Sequence, residues 1–256
     1  YEIEIDFKTN RVSKFTYGIN ASGKLVAKMM KDFYESSAGR SHKLVQCINE
    51  SLDDGSDASG SSGTAFFINK TGYLLTNNHV VEGCSLSKIT YKNKDYETKL
   101  IATDKILDLA LLKAEIKPKS YLAFANDEAK KLNKVYVAGY PLGKGLSDDL
   151  KISSGIISSV KGFNDNSNEI QIDAPINPGN SGGPIINENG NLIAIAVSGL
   201  AKDQTEGINF AIKSSAAETF LKANKINPKK SMYSGIKEND KLLDILEEGT
   251  VYTFCN

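Results

Sequence analysis

The chain holds two histidines, His42 and His79, so any mechanism that needs an imidazole has only two candidates. His79 lies in Tyr73-Leu74-Leu75-Thr76-Asn77-Asn78-His79-Val80-Val81, where a polar cluster interrupts an apolar strand. His42 sits in Gly39-Arg40-Ser41-His42-Lys43, a setting that reads as plain surface. Ser181 stands in Asn177-Pro178-Gly179-Asn180-Ser181-Gly182-Gly183-Pro184. Glycines on both sides permit backbone angles that other residues resist, and let the main chain crowd a substrate carbonyl. Such a turn can aim two backbone N–H groups at one point, the requirement of an oxyanion hole. A hydroxyl, an imidazole and a carboxylate together could carry acyl transfer, the acid orienting the base and the base activating the hydroxyl. For the acid, Asp108 heads the apolar strand Asp108-Leu109-Ala110-Leu111-Leu112-Lys113. Its rival Asp104, between Thr103 and Lys105, reads as part of a solvated turn, and Asp108 is preferred.

Chain order narrows the chemistry. Gly179-Asn180-Ser181-Gly182-Gly183 matches the GxSxG pattern of a hydrolase nucleophile elbow. That elbow needs a helix after the serine, which Gly182-Gly183-Pro184 opposes, and a histidine downstream, which the chain lacks. Both histidines precede Ser181, so only the orders His, Asp, Ser or Asp, His, Ser remain. An esterase or lipase built on the elbow is disfavoured on the same ground.

Other patterns are weaker. Gly139-Tyr140-Pro141-Leu142-Gly143-Lys144-Gly145 is one residue short of a phosphate loop and lacks the hydroxyl after the lysine, so it reads as a turn between strands. No His, Cys, Asp or Glu spacing suits zinc, and Asp53, Asp54 and Asp57 lack the calcium-loop pattern. No metal and no cofactor are expected. Lys+Arg and Asp+Glu each number 31, which removes any broad electrostatic case for nucleic acid or an anionic membrane. No apolar run is long enough to span a bilayer. Cys47, Cys84 and Cys255 allow at most one disulfide and leave one thiol unpaired within the chain.

The elements that must position these residues are mainly short strands. From Thr64 to Ile212 the chain runs in β-branched stretches broken by Gly, Asn, Asp and Lys turns: 64–69, 73–76, 88–92, 97–102, 109–114, 135–139, 151–160, 169–173, 184–187, 191–197 and 207–212. Many short strands at close intervals predict an all-β barrel or sandwich rather than alternating βαβ units. Residues 51–63, rich in Ser, Gly and Asp, predict a mobile loop. Leu25, Val26, Met29, Met30, Phe33 and Tyr34 recur at helical spacing and predict an amphipathic helix over 22–36, after an extended stretch in residues 1–20. Helix returns at 214–224, then a short helix at 238–247 and a last strand at 250–254. The chain opens on Tyr1 with no export signal in view, which predicts a processed or trimmed product.

With His79, Asp108 and Ser181 in hand, the wording around each becomes informative. Thr71-Gly72-Tyr73 through Val81, Asp108 through Lys113, and Asp173-Ala174-Pro175-Ile176 through Pro184 together resemble the HtrA/Deg family of trypsin-like peptidases. Ala138-Gly139-Tyr140-Pro141-Leu142-Gly143, Ser154-Gly155-Ile156-Ile157-Ser158 and Gly207-Ile208-Asn209-Phe210-Ala211-Ile212 support it, and the resemblance covers about 43–225. It implies an all-β, chymotrypsin-like double six-stranded β-barrel, with an N-terminal helix and a helix after the second barrel. The implied division is an N-terminal extension 1–42, a protease domain 43–225 and a C-terminal extension 226–256. Within the domain it implies barrel one at about 43–120, barrel two at about 130–212 and a closing helix at 214–224.

The resemblance also implies roles. His79 is the general base, Asp108 its orienting acid and Ser181 the nucleophile of a serine endopeptidase. Gly179, Asn180 and Ser181 form the oxyanion hole. Ile176, five positions before Ser181, takes the base of the specificity pocket and favours a small or medium aliphatic residue before the cut. Ala196, Val197 and Ser198 pair with the substrate backbone, a β-augmentation mode suited to unfolded or extended polypeptides and to protein quality control. Export to a periplasm or beyond and a homotrimer are implied too, with a polypeptide as the partner and no nucleic acid. The 44 residues after Ile212 are too few for a PDZ domain, and the cysteine pattern predicts no disulfide beside the base histidine. The alternative reading is a catalytically latent or non-enzymatic, chaperone-like peptide-binding module on the same fold.

Overall fold

The computed structural model describes residues 2–6, 11–15, 61–141, 148–197, 207–233 and 235–255. Two compact units divide the chain, Tyr1–Ala58 and Ser59–Asn256. In the first, β1 (Glu2–Asp6) and β2 (Arg11–Phe15) form an antiparallel pair. The predicted helix over 22–36, His42 and Cys47 lie outside the described residues, as does most of the Ser/Gly-rich segment.

The second unit contains two closed six-stranded antiparallel barrels. Barrel one is built from β3 (Ser62–Phe67), β4 (Tyr73–Thr76), β5 (Ser87–Tyr91), β6 (Lys94–Asp104), β7 (Leu109–Ala114) and β14 (Thr250–Cys255). Barrel two is built from β8 (Lys134–Gly139), β9 (Lys151–Ser159), β10 (Glu169–Ile172), β11 (Pro184–Asn187), β12 (Leu192–Ala196) and β13 (Asn209–Lys213). Among the described residues three α-helices accompany them: α1 (Asn78–Val81), α2 (Ser214–Ala223) and α3 (Asn239–Gly249). The predicted strands and the two later helices recur here within a few residues.

Burial explains the run-like text of several strands. Ala65, Phe67, Leu74, Ile89, Ala110, Leu112 and Val251 fill barrel one. Their neighbours Phe66, Leu75 and Leu111 point the other way, into a second core shared with Phe124, Ile195, Phe220 of α2 and Leu246 of α3. A strand buried on both faces loses the polar alternation of a half-exposed one. Barrel two has its own interior, with Val135, Val137, Ile157, Ile170, Ile185 and Ala211. Each fully buried Leu, Ile or Phe contributes roughly 1.5–3 kcal/mol relative to exposure, so these cores hold the strands that carry the site.

The structure corrects the C-terminal boundary. Residues 226–256 are not an appendage to a finished domain, because β14 is the sixth strand of barrel one. It pairs with β3 (Val251 with Ala65, Tyr252 with Thr64) and with β5 (Tyr252 with Thr90, Phe254 with Lys88). The physical reason is the pair of edges that β3 and β5 would otherwise expose, whose N–H and C=O groups need partners. Residues 43–120 are therefore not the whole of barrel one. The expectation about disulfides is corrected as well: Cys84, just after α1, is bonded to Cys255 of β14, with their Cα atoms 5.4 Å apart. Sequence separation hid this pair, 171 residues apart along the chain.

Candidate active site

His79 rides on α1, a single turn that leaves β4 at the edge of barrel one. Its reading as the end of a strand is thus replaced by a short helix, which turns the imidazole away from the barrel interior. Asp108 precedes β7, and its backbone lies in the left-handed region at φ 52°. Aspartate tolerates that region better than most residues, but supports are still needed. They are present. The Asp108 carbonyl accepts the Asn78 N–H at 3.1 Å and the Asn77 side-chain amide at 2.8 Å. The carboxylate accepts the His79 backbone N–H at 2.9 Å through Oδ1 and meets His79 Nδ1 at 2.7 Å through Oδ2. With Nδ1–H donated to the carboxylate, Nε2 is the nitrogen left to accept a proton. Asp104 is occupied differently: its carboxylate accepts the N–H groups of Ile106 and Leu107 at 3.0 and 2.9 Å, closing a turn.

Ser181 lies in barrel two, on the turn that leads into β11, and only 5% of it is exposed. Barrel one reaches it through the Thr64 N–H, which donates to the Ser181 carbonyl at 2.9 Å. Gly182, at φ 82°, packs directly on the segment before His79. A Cβ there would collide with the Thr64 carbonyl oxygen and Thr76 Oγ1 and would stand 2.9 Å from the Asn77 nitrogen. Glycine is thus required by space as well as by backbone angle. These contacts bring the Ser181 turn and the His79 segment to one junction between the barrels.

The turn's N–H groups divide into two sets. Asn180 N–H donates to the Asn177 carbonyl, Gly182 N–H to Ala196 and Gly183 N–H to Asn180, each at 2.9 Å. Among the described residues the N–H groups of Gly179 and Ser181 have no acceptor, and these two remain available to a ligand. Asn180 therefore departs from its expected place in the oxyanion hole, because its N–H closes the turn from behind. Ala196 departs likewise. Its N–H donates to the Gly183 carbonyl, so it braces the Ser181 turn and cannot offer that donor to an extended chain. Val197 N–H goes to the Phe210 carbonyl at 3.2 Å, and Ser198 lies outside the described residues.

Ile176 is 2% exposed and packs in the barrel-two core with Ala174, Ala196 and Ala211. The stretch before it is pinned at three points. Asp173 accepts the Ile156 N–H at 2.6 Å, Asn209 donates its side-chain amide to the Ala174 carbonyl at 3.0 Å, and Ser153 Oγ donates to the Pro175 carbonyl at 3.0 Å. Gly155 makes room for the first of these, since a Cβ there would overlap the Asp173 carboxylate.

Sequence reasoning singled out neither Asn77, Asn209 nor Thr64 as site residues. All three are buried polar residues at the ends of apolar strands, the only signal the sequence offers for them. Among the described residues no group of three His, Cys, Asp or Glu is arranged to hold a metal ion, and no helix is long and apolar enough to cross a membrane.

Residues 63–195 match the family model described as a trypsin-like peptidase domain. The serine protease Do-like HtrA of Bacillus subtilis is 34% identical over 209 residues, covering 74% of this chain and 46% of that protein. A probable periplasmic serine endoprotease, DegP-like, of Rhizobium meliloti is 37% identical over 165 residues, covering 62% of this chain and 32% of the relative. This chain thus spans less than half the length of either. Among solved structures, the HtrA-type protease AlgW with decapeptide superimposes with a TM-score of 0.57 at 31% identity, covering 64% of this chain and 51% of the other. The serine endoprotease from Yersinia pestis gives 0.55 at 26% identity, covering 64% and 62%. The double barrel, the motif order and these likenesses agree, and the chain belongs to the trypsin-like peptidase domain family, among the HtrA/Deg-type proteins.

Proposed function

We propose that the chain is a serine endopeptidase in which Ser181 attacks the scissile carbonyl, His79 takes the proton and Asp108 holds the imidazole. The observation that carries this reading is the Asp108 carboxylate gripping His79 through both the backbone N–H and Nδ1, at 2.9 and 2.7 Å. That grip fixes the ring's orientation and leaves Nε2 as the base. As the hydroxyl proton moves to Nε2, the imidazolium formed is stabilised by the adjacent carboxylate. The tetrahedral oxyanion takes the N–H groups of Gly179 and Ser181, and Nε2–H then protonates the leaving amine.

The substrates in this reading are unfolded or extended polypeptides, cut after small or medium aliphatic residues. Ile176, an apolar residue just before the nucleophile turn, supports the aliphatic preference, since a charged side chain would find no partner against it. Export is part of the proposal. It is supported by relatives named periplasmic and by the Cys84–Cys255 bond, a linkage that persists in oxidising compartments.

Purified chain should degrade unfolded casein and be labelled at Ser181 by a fluorophosphonate probe, while Ser181→Ala loses both by at least about 10⁴-fold. Equal degradation by wild type and Ser181→Ala would overturn the assignment of the nucleophile. Cleavage-site profiling on a peptide library should show Val, Ala or Ile before the cut, and a preference for Lys, Arg or Asp there would overturn the role given to Ile176.

A further inference from the structure

Thr64 sits near the start of β3, is fully buried, and commits every polar group it has. Its N–H donates to the Ser181 carbonyl at 2.9 Å, and its carbonyl accepts the Thr76 hydroxyl at 2.8 Å. Its Oγ1 donates to the Gly179 carbonyl at 2.7 Å and accepts the Tyr140 N–H at 3.0 Å. A hydroxyl has one proton. Because Tyr140 N–H can only donate, the proton of Oγ1 is free for the Gly179 carbonyl and has nowhere better to go.

That contact falls where the turn has least intrinsic rigidity. Gly179 stands at φ 96°, and without a Cβ its flanking peptide groups can rotate at low steric cost. A hydrogen bond must then set the direction of its carbonyl. Thr64 Oγ1 holds that oxygen toward barrel one, which sends the Asn180 N–H of the same peptide to the opposite side, onto Asn177. The hydroxyl is itself held. Threonine is stiff at χ1, a Cβ at Gly183 would stand 3.3 Å from the Thr64 methyl, and one at Gly139 would stand 3.0 Å from Oγ1, so these glycines make its seat.

We propose that Thr64 is a positioning residue for acyl transfer, its hydroxyl clamping the Gly179 carbonyl so that the N–H groups of Gly179 and Ser181 stay aimed at one point. This rests on the reading of Ser181 as nucleophile. Thr64 touches no reacting atom, and its effect is on the geometry of donors that meet developing charge, so it belongs in kcat rather than KM.

The test uses the whole chain with Thr64→Val, which keeps shape and removes the O–H, together with Thr64→Ser and Thr64→Cys. End-point fluorophosphonate labelling counts competent sites, and kcat and KM on a peptide substrate are then expressed per competent site. Thr64→Val should lose up to roughly 100-fold in kcat per site with KM unchanged, Thr64→Ser should recover the rate, and Thr64→Cys, a weak donor, should fall between them. If Thr64→Val lowers only the number of competent sites and leaves kcat per site at the wild-type value, the role is structural and the inference is overturned. Should the valine variant not fold, cysteine and serine variants with equal kcat per site overturn it too. An unlabelled wild type defeats the nucleophile assignment, and this inference with it. A labelled wild type matched by Thr64→Val defeats this inference alone.

Discussion

Asp108 is held by four hydrogen bonds, two to its carbonyl and two to its carboxylate, while its backbone occupies a region most residues avoid. Asp108→Asn keeps the size and can keep the backbone contacts, but an amide nitrogen facing Nδ1 favours the wrong tautomer. We expect kcat/KM to fall roughly 10⁴-fold with little change in melting temperature, and a variant that melts much earlier would show that the loss is structural. Tyr140 gives a second expectation at this scale. Burial, with Asp149 and Glu247 nearby, pushes its phenol up to about 12. The unfolded chain releases this proton near pH 10 and the folded chain holds it to about 12, so stability present below pH 10 is lost as pH rises through that interval. Subtracting the melting curve of Tyr140→Phe from that of wild type between these pH values should isolate the loss, and coincident slopes would refute it. The proposed triad could be picked out of the sequence because imidazoles are rare and chain order is restrictive: there are two histidines, both before Ser181, and one acid at a strand head.

The catalytic candidates lie on short elements held from outside themselves. α1 is a single turn, and its place is fixed at one end by β4 and just past the other by the Cys84–Cys255 bond. β14, the strand at the far end of that bond, is bonded to β3 and β5, and β3 carries Thr64. Breaking the bond frees the loop that it closes, and Cys255→Ser should cost about 2–4 kcal/mol in urea unfolding. For a unit of this size that corresponds to a fall in melting temperature of several degrees. A variant as stable as wild type would show that strand pairing alone anchors β14. The strand spans were legible because β-branched apolar runs and the turn residues that bound them mark them directly. α1 was not, since four residues cannot display a helical period.

At the scale of the molecule, barrel one needs both ends of the described unit. β3 and β5 sit at its start and β14 at its end, so the barrel cannot close until the last strand arrives. Barrel two closes within residues 134–213. Long-range pairing is slow because loop closure must precede the contacts that reward it. In pulse-labelled refolding, amides of β10 and β13 should gain protection before those through which β3 and β5 bond β14. The reverse order, or simultaneous protection, would refute this sequence of events. The Ser181 turn, which depends on Thr64 of β3, should then become reactive to a fluorophosphonate only in the later phase.

The sequence by itself determined the all-β character and nearly every strand, and it singled out the residues proposed to carry the chemistry. These follow from residue type, order and local periodicity, which are properties of neighbours along the chain. Tertiary structure decided what depends on distant partners. It made β14 the closing strand of barrel one and Cys255 the partner of Cys84. It turned the Asn180 N–H inward, engaged the Ala196 N–H in bracing Ser181, and set Thr64 across from Gly179. No local pattern encodes such pairings, because a backbone N–H or a buried hydroxyl looks the same in the sequence whatever it bonds. Ser181 could therefore be proposed as the nucleophile by reading, whereas the direction in which its surrounding N–H groups point required the fold.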